Sequence, residues 1–439
     1  MTRAKRTDQL EGSGASFPRW LVAIAIASCA LAARSETITD PAEEFRPPAP
    51  YIARLGEFPD WSLLDPYQGT ITREEFVYLL QHCYARKPEE FEGLIHIQPD
   101  RALILKQSNF PEKGWYILRF RTDRPIPLPA PNFWRRPVDL PDLPANSTRP
   151  LEGLRVAIDP GHIGGKWVTW DDRHFRIGKD TIEVREGEMT LRVAKILERD
   201  LSLLGATVLL TRDTNNPVTE ERVETLQEEA RSYLVQRGAV PSSSLIASTA
   251  KKMFAISSEI RTRGEQLNAR IQPDIALCLH FNASPWGRRP SFRSSNHLHL
   301  LINGCYSRGE MSEDDTRFEM IMRIVQRVYH EELALADELS ETMQKETRLP
   351  AFHYDGTNGM AVNDNEFVWA RNLLANRVFF CPVVFFEPYC MNHREIYDRV
   401  QEGEYDGLRE INGVYRKNIY QEYADGITAG LVNYYRRVR

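Results

Sequence analysis

Arg155-Val-Ala-Ile-Asp-Pro-Gly-His-Ile163 decides the reading of this chain. Its apolar run, Val156-Ala157-Ile158, has the length of a buried strand. Asp159-Pro160-Gly161 then stops it and leaves the imidazole of His162 at the strand's carboxyl end. In open α/β sheets, sites form in the crevice beyond those ends. Two further apolar runs finish in the same manner. Ile275-Ala-Leu-Cys-Leu279 is followed by His280, and Val383-Val-Phe-Phe386 by Glu387. A fourth candidate, Glu186, stands just before a helix that begins near Glu188. In a parallel sheet these strand ends share one edge, so two imidazoles and two carboxylates can meet there. Two histidines with one carboxylate form a catalytic zinc set that leaves a position for water. A second carboxylate that does not ligate can then act as general base. One histidine after an apolar strand is more often structural than a ligand, and the separations 162, 186 and 280 match no local zinc motif such as HExxH. The weight therefore rests on the four groups arriving together.

Outward from this stretch, strands and helices alternate. Strand 154–158 leads to a helix from Glu188 to Leu204, then to strand Thr207-Val-Leu-Leu-Thr211. A helical stretch over about 217–270 precedes strand 275–279. Strand His297-Leu-His-Leu-Leu-Ile302 precedes a helical region from Ser312 to Lys345. Strand 383–386 and a helix over about 417–437 close the chain. This alternation predicts an α/β fold with a mainly parallel twisted sheet and helices on both faces. Ahead of it, residues 60–122 read as a small α+β module. Thr72-Arg-Glu-Glu75 is a capping box, and Ala102–Lys106 and Trp115–Phe120 are strands. Proline-rich stretches at 34–59 and 123–151 read as linkers, and the main domain spans 152–439.

The chain has 439 residues, 42% apolar and 27% charged, with a formal net charge of -5. That composition suits a soluble globular protein and gives no sign of the strongly basic surface of a nucleic-acid binder. Residues 1–33 read as a signal peptide: Arg3, Lys5, Arg6 and Arg19 precede an apolar run from Leu21 to Ala33 that is too short to span a bilayer. Ile26-Ala-Ser-Cys29 also resembles a lipoprotein cleavage box, which would make Cys29 a lipid anchor. The short apolar run favours simple cleavage at Ala30-Leu31-Ala32. Either route exports the protein to the periplasm or cell envelope. Of the six cysteines, Cys83, Cys278, Cys305, Cys381 and Cys390 remain. An odd, widely spaced set is no disulfide framework.

Several segments, in order, resemble the zinc-dependent N-acetylmuramoyl-L-alanine amidases of the amidase-3 type. Val156-Ala-Ile-Asp-Pro-Gly-His-Ile-Gly-Gly165 is similar to the first signature of that family. Glu186-Gly-Glu-Met-Thr-Leu191 is similar to its glutamate-plus-helix segment, and Val208-Leu-Leu-Thr-Arg-Asp213 to its second strand and turn. Leu279-His-Phe-Asn-Ala-Ser284 resembles its SxHxNA segment, Phe386-Glu-Pro-Tyr-Cys-Met-Asn392 its VEpGFxSN segment, and Tyr423–Leu431 its closing helix. The likeness covers about 152–437. It departs where Cys278-Leu279 replaces the expected serine and where Pro388-Tyr-Cys replaces a Gly-Phe turn.

The resemblance implies that His162, Glu186 and His280 ligate one Zn2+ and that Glu387 is the catalytic carboxylate. The choice of Glu186 over Glu183 and Glu188 rests on its register to Leu191. The implied substrate is peptidoglycan, cut between N-acetylmuramic acid and L-alanine. A wall-binding protein without catalysis and a zinc peptidase acting within the stem peptide are the rivals. Arg212, Asn282, Trp167 and Trp170 are substrate-contact candidates, with Asp171, Asp172 and His174 in the same loop as the tryptophans. His297 and His299 alternate on one strand face, either as a metal pair or as part of a covered sheet face. Two stretches exceed a minimal domain of this kind, 217–262 and 309–332. In some family members a helix at the second place blocks the zinc site until a partner protein removes it, which implies the same for 309–332.

Overall fold

The computed structural model describes residues 58–439, apart from 109–111, 113, 123–132, 145, 237 and 271. The leader, Cys29 and most of the first linker lie outside the described residues. No helix among those residues is long and apolar enough to cross a membrane.

The module at 60–122 holds the helix Arg73–Leu79, capped by Thr72, and an antiparallel sheet of β1 (Ile95–Ile97), β2 (Arg101–Leu105) and β3 (Trp115–Arg119). It does not stand apart. Its buried residues and those of the main sheet form one continuous apolar cluster. Trp61 packs edge-on against Phe318 at 5.4 Å, and the Cys305 and Tyr306 N–H groups donate to the Cys83 and Tyr84 carbonyls. Part of the second linker is also fixed. Arg135 pairs with buried Asp274 at 2.7 Å, and Trp134 and Leu140 are buried. Proline content gave a linker reading; two apolar side chains and one buried ion pair hold the segment down instead.

The principal sheet has seven strands. They are β4 (Arg155–Pro160), β7 (Thr207–Leu210), β8 (Ile275–Leu279), β9 (Leu300–Asn303), β10 (Met360–Ala361), β11 (Val368–Arg371) and β12 (Val383–Phe386), in spatial order β10-β11-β9-β12-β8-β4-β7. Two short pairs, β5 with β6 (His174–Phe175, Val184–Arg185) and β13 with β14 (Arg409–Ile411, Val414–Arg416), lie outside it. β7, β4, β8 and β12 run parallel. β9 runs antiparallel to β12, and β11 follows β9. The sheet is therefore mixed, with mostly parallel pairing. β8 is buried at every position, as a strand covered on both faces must be.

The helical regions are more broken than the apolar pattern suggests. The stretch 217–270 contains helices Gln227–Gln236, Ser243–Lys252 and Glu259–Arg270, with a π-helical turn at Met253–Ser258. Ser312–Lys345 divides into Asp314–Gln326 and Tyr329–Thr347 because Arg327 turns left-handed at φ 57°. The blocking helix expected within 309–332 is not a plug. Helix Asp314–Gln326 is buried along almost its whole length between the module and the sheet. Arg317 donates to the carbonyls of Leu105 and Met311, and Arg323 to those of Phe379 and Cys381. The helix is covered all round, from Asp315 to Gln326. The five described cysteines are free thiols, all buried.

Candidate functional site

Three ligand atoms, one each from His162, Glu186 and His280, lie within 4.8 Å of one another. His162 follows β4, His280 follows β8, and Glu186 is the first residue of the helix Glu186–Leu203. The helix begins two residues earlier than its apolar pattern suggests, so Glu186 sits at a helix N-terminus, which favours a carboxylate. Glu186 is 2% exposed, and its Oε1 lies 3.4 Å from His162 Nε2 and 3.3 Å from His280 Nδ1. The Phe281 N–H donates to the same oxygen at 3.1 Å. The neighbouring glutamates point elsewhere. Glu183 pairs with His174 and Arg185, and Glu188 accepts from Arg185 and the Gly165 N–H.

The turn that delivers His162 is held by charge and by the absence of side chains. A Cβ on Gly161 would stand 2.4 Å from His280 Cε1, and one on Gly187 would stand 2.2 Å from the Ile163 carbonyl oxygen. Only glycine lets the turn, the helix and the second histidine converge so closely. His162 itself sits left-handed at φ 63°, a conformation that costs a non-glycine residue about 1 kcal/mol or more unless its surroundings enforce it. Arg263 enforces it. Its guanidinium donates to Asp159, to the Pro160 and His162 carbonyls, and to Glu259. Asp159 also accepts from Thr211 Oγ1.

Asp171 supplies the missing orienting group. Its Oδ2 accepts from His162 Nδ1 at 2.9 Å and from the Ile163 N–H at 3.1 Å. That fixes the tautomer and turns Nε2 inward, the arrangement by which a carboxylate orients a metal-binding imidazole. Burial pulls the His162 imidazolium down, but Asp171 and Glu186 outweigh it and carry its pKa up to about 10. Burial would raise Glu186, yet the two imidazoles hold it well below the usual carboxylate range.

Glu387 follows β12 and shares a cleft of about 540 Å³ with His162, Glu186 and His280. Burial raises its carboxyl above the ordinary value, against the lowering effect of His280. Asn282 lines the same cleft; its Oδ1 accepts from the Ala283 N–H.

Two expectations are corrected. Arg212 faces no cleft. It is 3% exposed and donates to the carbonyls of Pro160, Gly161, Gly187 and Thr214, bracing the turn beneath the site. Trp167 and Trp170 do not line the cleft either. They pack on each other and on Phe254 in a second apolar cluster that anchors the 217–262 insertion. Residues of that insertion do reach the cleft, through Ala255, Ile256 and Ile260, whereas none from 309–332 does. Of the two readings of His297 and His299, the covered sheet face holds: both rings tilt against Phe352, and burial holds them neutral, down to about 4 and about 3. Sequence reasoning missed Arg263 and the orienting role of Asp171. A carboxylate nine residues after a candidate ligand was a signal for the latter; nothing local marked Arg263.

Neither a protein-family model nor a curated protein matches the sequence. Solved structures do. The chain is similar to the N-acetylmuramyl-L-alanine amidase Ami1 from Mycobacterium smegmatis, at 15% identity and a TM-score of 0.37 over 65% of this chain and 98% of that one. It is similar to Ami1 from Mycobacterium abscessus at 16% identity and a TM-score of 0.36, over 64% and 99% of the two chains. A third is the CwlD amidase from Clostridioides difficile, solved in complex with the GerS lipoprotein, at 12% identity and a TM-score of 0.36 over 64% and 98%. All three are amidases.

Proposed function

We propose that this protein is a zinc-dependent peptidoglycan hydrolase of the cell envelope that cleaves the amide between N-acetylmuramic acid and L-alanine. The observation that carries the reading is the meeting of His162, Glu186 and His280 in one cleft with Glu387. The ordered signature-like segments described above support it.

The residues fit the metal. Two imidazoles and one carboxylate suit zinc and leave a position open. When bound, zinc would lower the pKa of water from about 15.7 to about 7 and polarise the amide carbonyl. Asp171 keeps the Nδ1 proton of His162 in place, so Nε2 presents its lone pair. Phe281 N–H holds the Glu186 carboxylate in register. Glu387 accepts a proton from the attacking water and returns it to the leaving amine. Its raised, half-buried carboxyl suits a group that must hold a proton between those two steps. The exported character read from the leader agrees with a wall substrate.

Digestion of purified sacculi by the zinc-loaded protein tests the reading. Free stem peptides beginning with L-alanine are expected. Fragments cut within the stem would instead make it a peptidase, and zinc-loaded protein that binds sacculi but releases nothing would make it a binding protein.

A further inference from the structure

The cleft does not end at Glu387. It continues along one side of the sheet past His299 and Tyr354 to Arg371. β8, β12, β9 and β11 lie side by side there. His299 and Glu387 exchange backbone hydrogen bonds, and Arg371 closes β11 opposite Asn303.

Arg371 differs from the arginines around it. Arg261, Arg263, Arg323 and Arg399 are each paired with a buried glutamate. The guanidinium of Arg371 has no carboxylate within 4 Å among the described residues. Its Nη1 donates to the Tyr354 hydroxyl at 3.4 Å, and its carbon lies 6.0 Å from that ring. The neighbouring His299 is 2% exposed, with Nε2 3.2 Å from the Tyr354 hydroxyl and Nδ1 without a partner. A half-buried cation beside a buried imidazole nitrogen without a partner is a prepared anion site, and a guanidinium fork matches a carboxylate bidentately.

The chemistry of the proposed substrate says which carboxylate. The lactyl carboxyl of the muramic acid is consumed in the scissile amide, so free carboxylates lie only on the peptide. Glu387 protonates the leaving amine, so the leaving peptide extends past Glu387, away from the three ligand residues. The strand order places β11, which ends in Arg371, beyond β12 on the side away from β8 and β4. Resting on the function proposed above, we infer that Arg371 is a specificity-determining residue that receives a free carboxylate of the departing stem peptide, that of its second residue.

Two synthetic muramoyl peptides, identical except that the second residue carries a free α-carboxylate or a carboxamide, test this. The zinc-loaded wild type is expected to prefer the carboxylate in kcat/KM by about 10- to 100-fold, the range of a charge-assisted hydrogen-bonded pair. Arg371→Gln should collapse the preference to within about threefold, mainly through KM, and Arg371→Lys should keep part of it. Calorimetric binding of the two free stem peptides to metal-free protein should show the same preference and the same loss, independently of turnover. Equal kcat/KM for both substrates in the wild type overturns the inference. So does an Arg371→Gln variant that slows both equally with a displaced pH profile, because the arginine would then only position Glu387. Failure to cleave either substrate at the muramoyl amide overturns the functional reading instead.

Discussion

Asp171 Oδ2 binds both the His162 ring, at 2.9 Å, and the next backbone N–H, that of Ile163, at 3.1 Å. One carboxylate thus fixes the orientation of the imidazole and the path of the chain beneath it. Asp171→Asn removes the charge that holds the Nδ1 proton. Zinc affinity should fall by about 10- to 100-fold, measured by competition with a chromophoric chelator. Unchanged affinity would remove Asp171 from the site.

Glu387 is expected to act in proton transfer, not in ligation. Glu387→Gln should lower turnover of muramoyl peptides by about 10²- to 10⁴-fold while the zinc content stays at one per chain. Loss of zinc in that variant would make Glu387 a ligand and leave the general base unassigned.

The electrostatics of His162, Glu186 and His280 make a prediction for metal-free protein. An exposed histidine titrates near 6.5, whereas His162 is carried up to about 10 in the folded chain. A raised folded value means that the contribution to stability is full below about pH 6.5 and is lost as pH climbs towards 10. The urea midpoint of chelator-treated protein should therefore decline across that window, and His162→Gln should flatten the decline. Zinc uptake at pH 8 should release about one proton, visible as a buffer-dependent binding enthalpy.

Arg263 binds Asp159, Glu259 and two carbonyls of the His162 turn from full burial. Arg263→Met would strand two buried carboxylates. The expected loss is about 3–5 kcal/mol, read by urea unfolding of the metal-free chain, with weakened zinc binding as the turn relaxes. A loss below about 1 kcal/mol would mean that the turn supports itself.

Trp170 packs edge-on against both Phe254, at 4.9 Å, and Trp167, at 5.0 Å. Trp170→Ala should loosen the 217–262 insertion, seen as faster amide exchange there, while kcat/KM changes by less than about threefold. A much larger fall in kcat/KM with normal exchange would return the tryptophan to the substrate groove.

What the sequence made legible follows from how far each signal reaches. Val383–Phe386 and Ile275–Leu279 coincide with β12 and β8 because short, wholly apolar runs have few other stable places. The polar residue after each run marked the sheet edge. β11 escaped because Val368-Trp-Ala-Arg371 is short and ends in a cation. The reversed direction of β9 was equally hidden, since strand direction is set by the path of distant connections. Arg263 lies in a mostly polar helix, where an arginine ordinarily faces water; only the fold brings Asp159 to it. The tryptophans misled for a related reason: an aromatic pair near a candidate ligand serves a groove and an apolar anchor equally well.

The continuous apolar cluster that joins residues from Trp61 to Tyr435 has a consequence for how the chain can be handled. Cutting at the proline-rich segment near 123–151 would not release an independently stable domain. It would uncover Phe318, strip Arg317 of its Leu105 carbonyl and expose a sticky apolar wound. Chain from Phe58 onward should melt and resist proteases as one cooperative block, and a fragment beginning at 152 should precipitate where the intact protein stays dissolved.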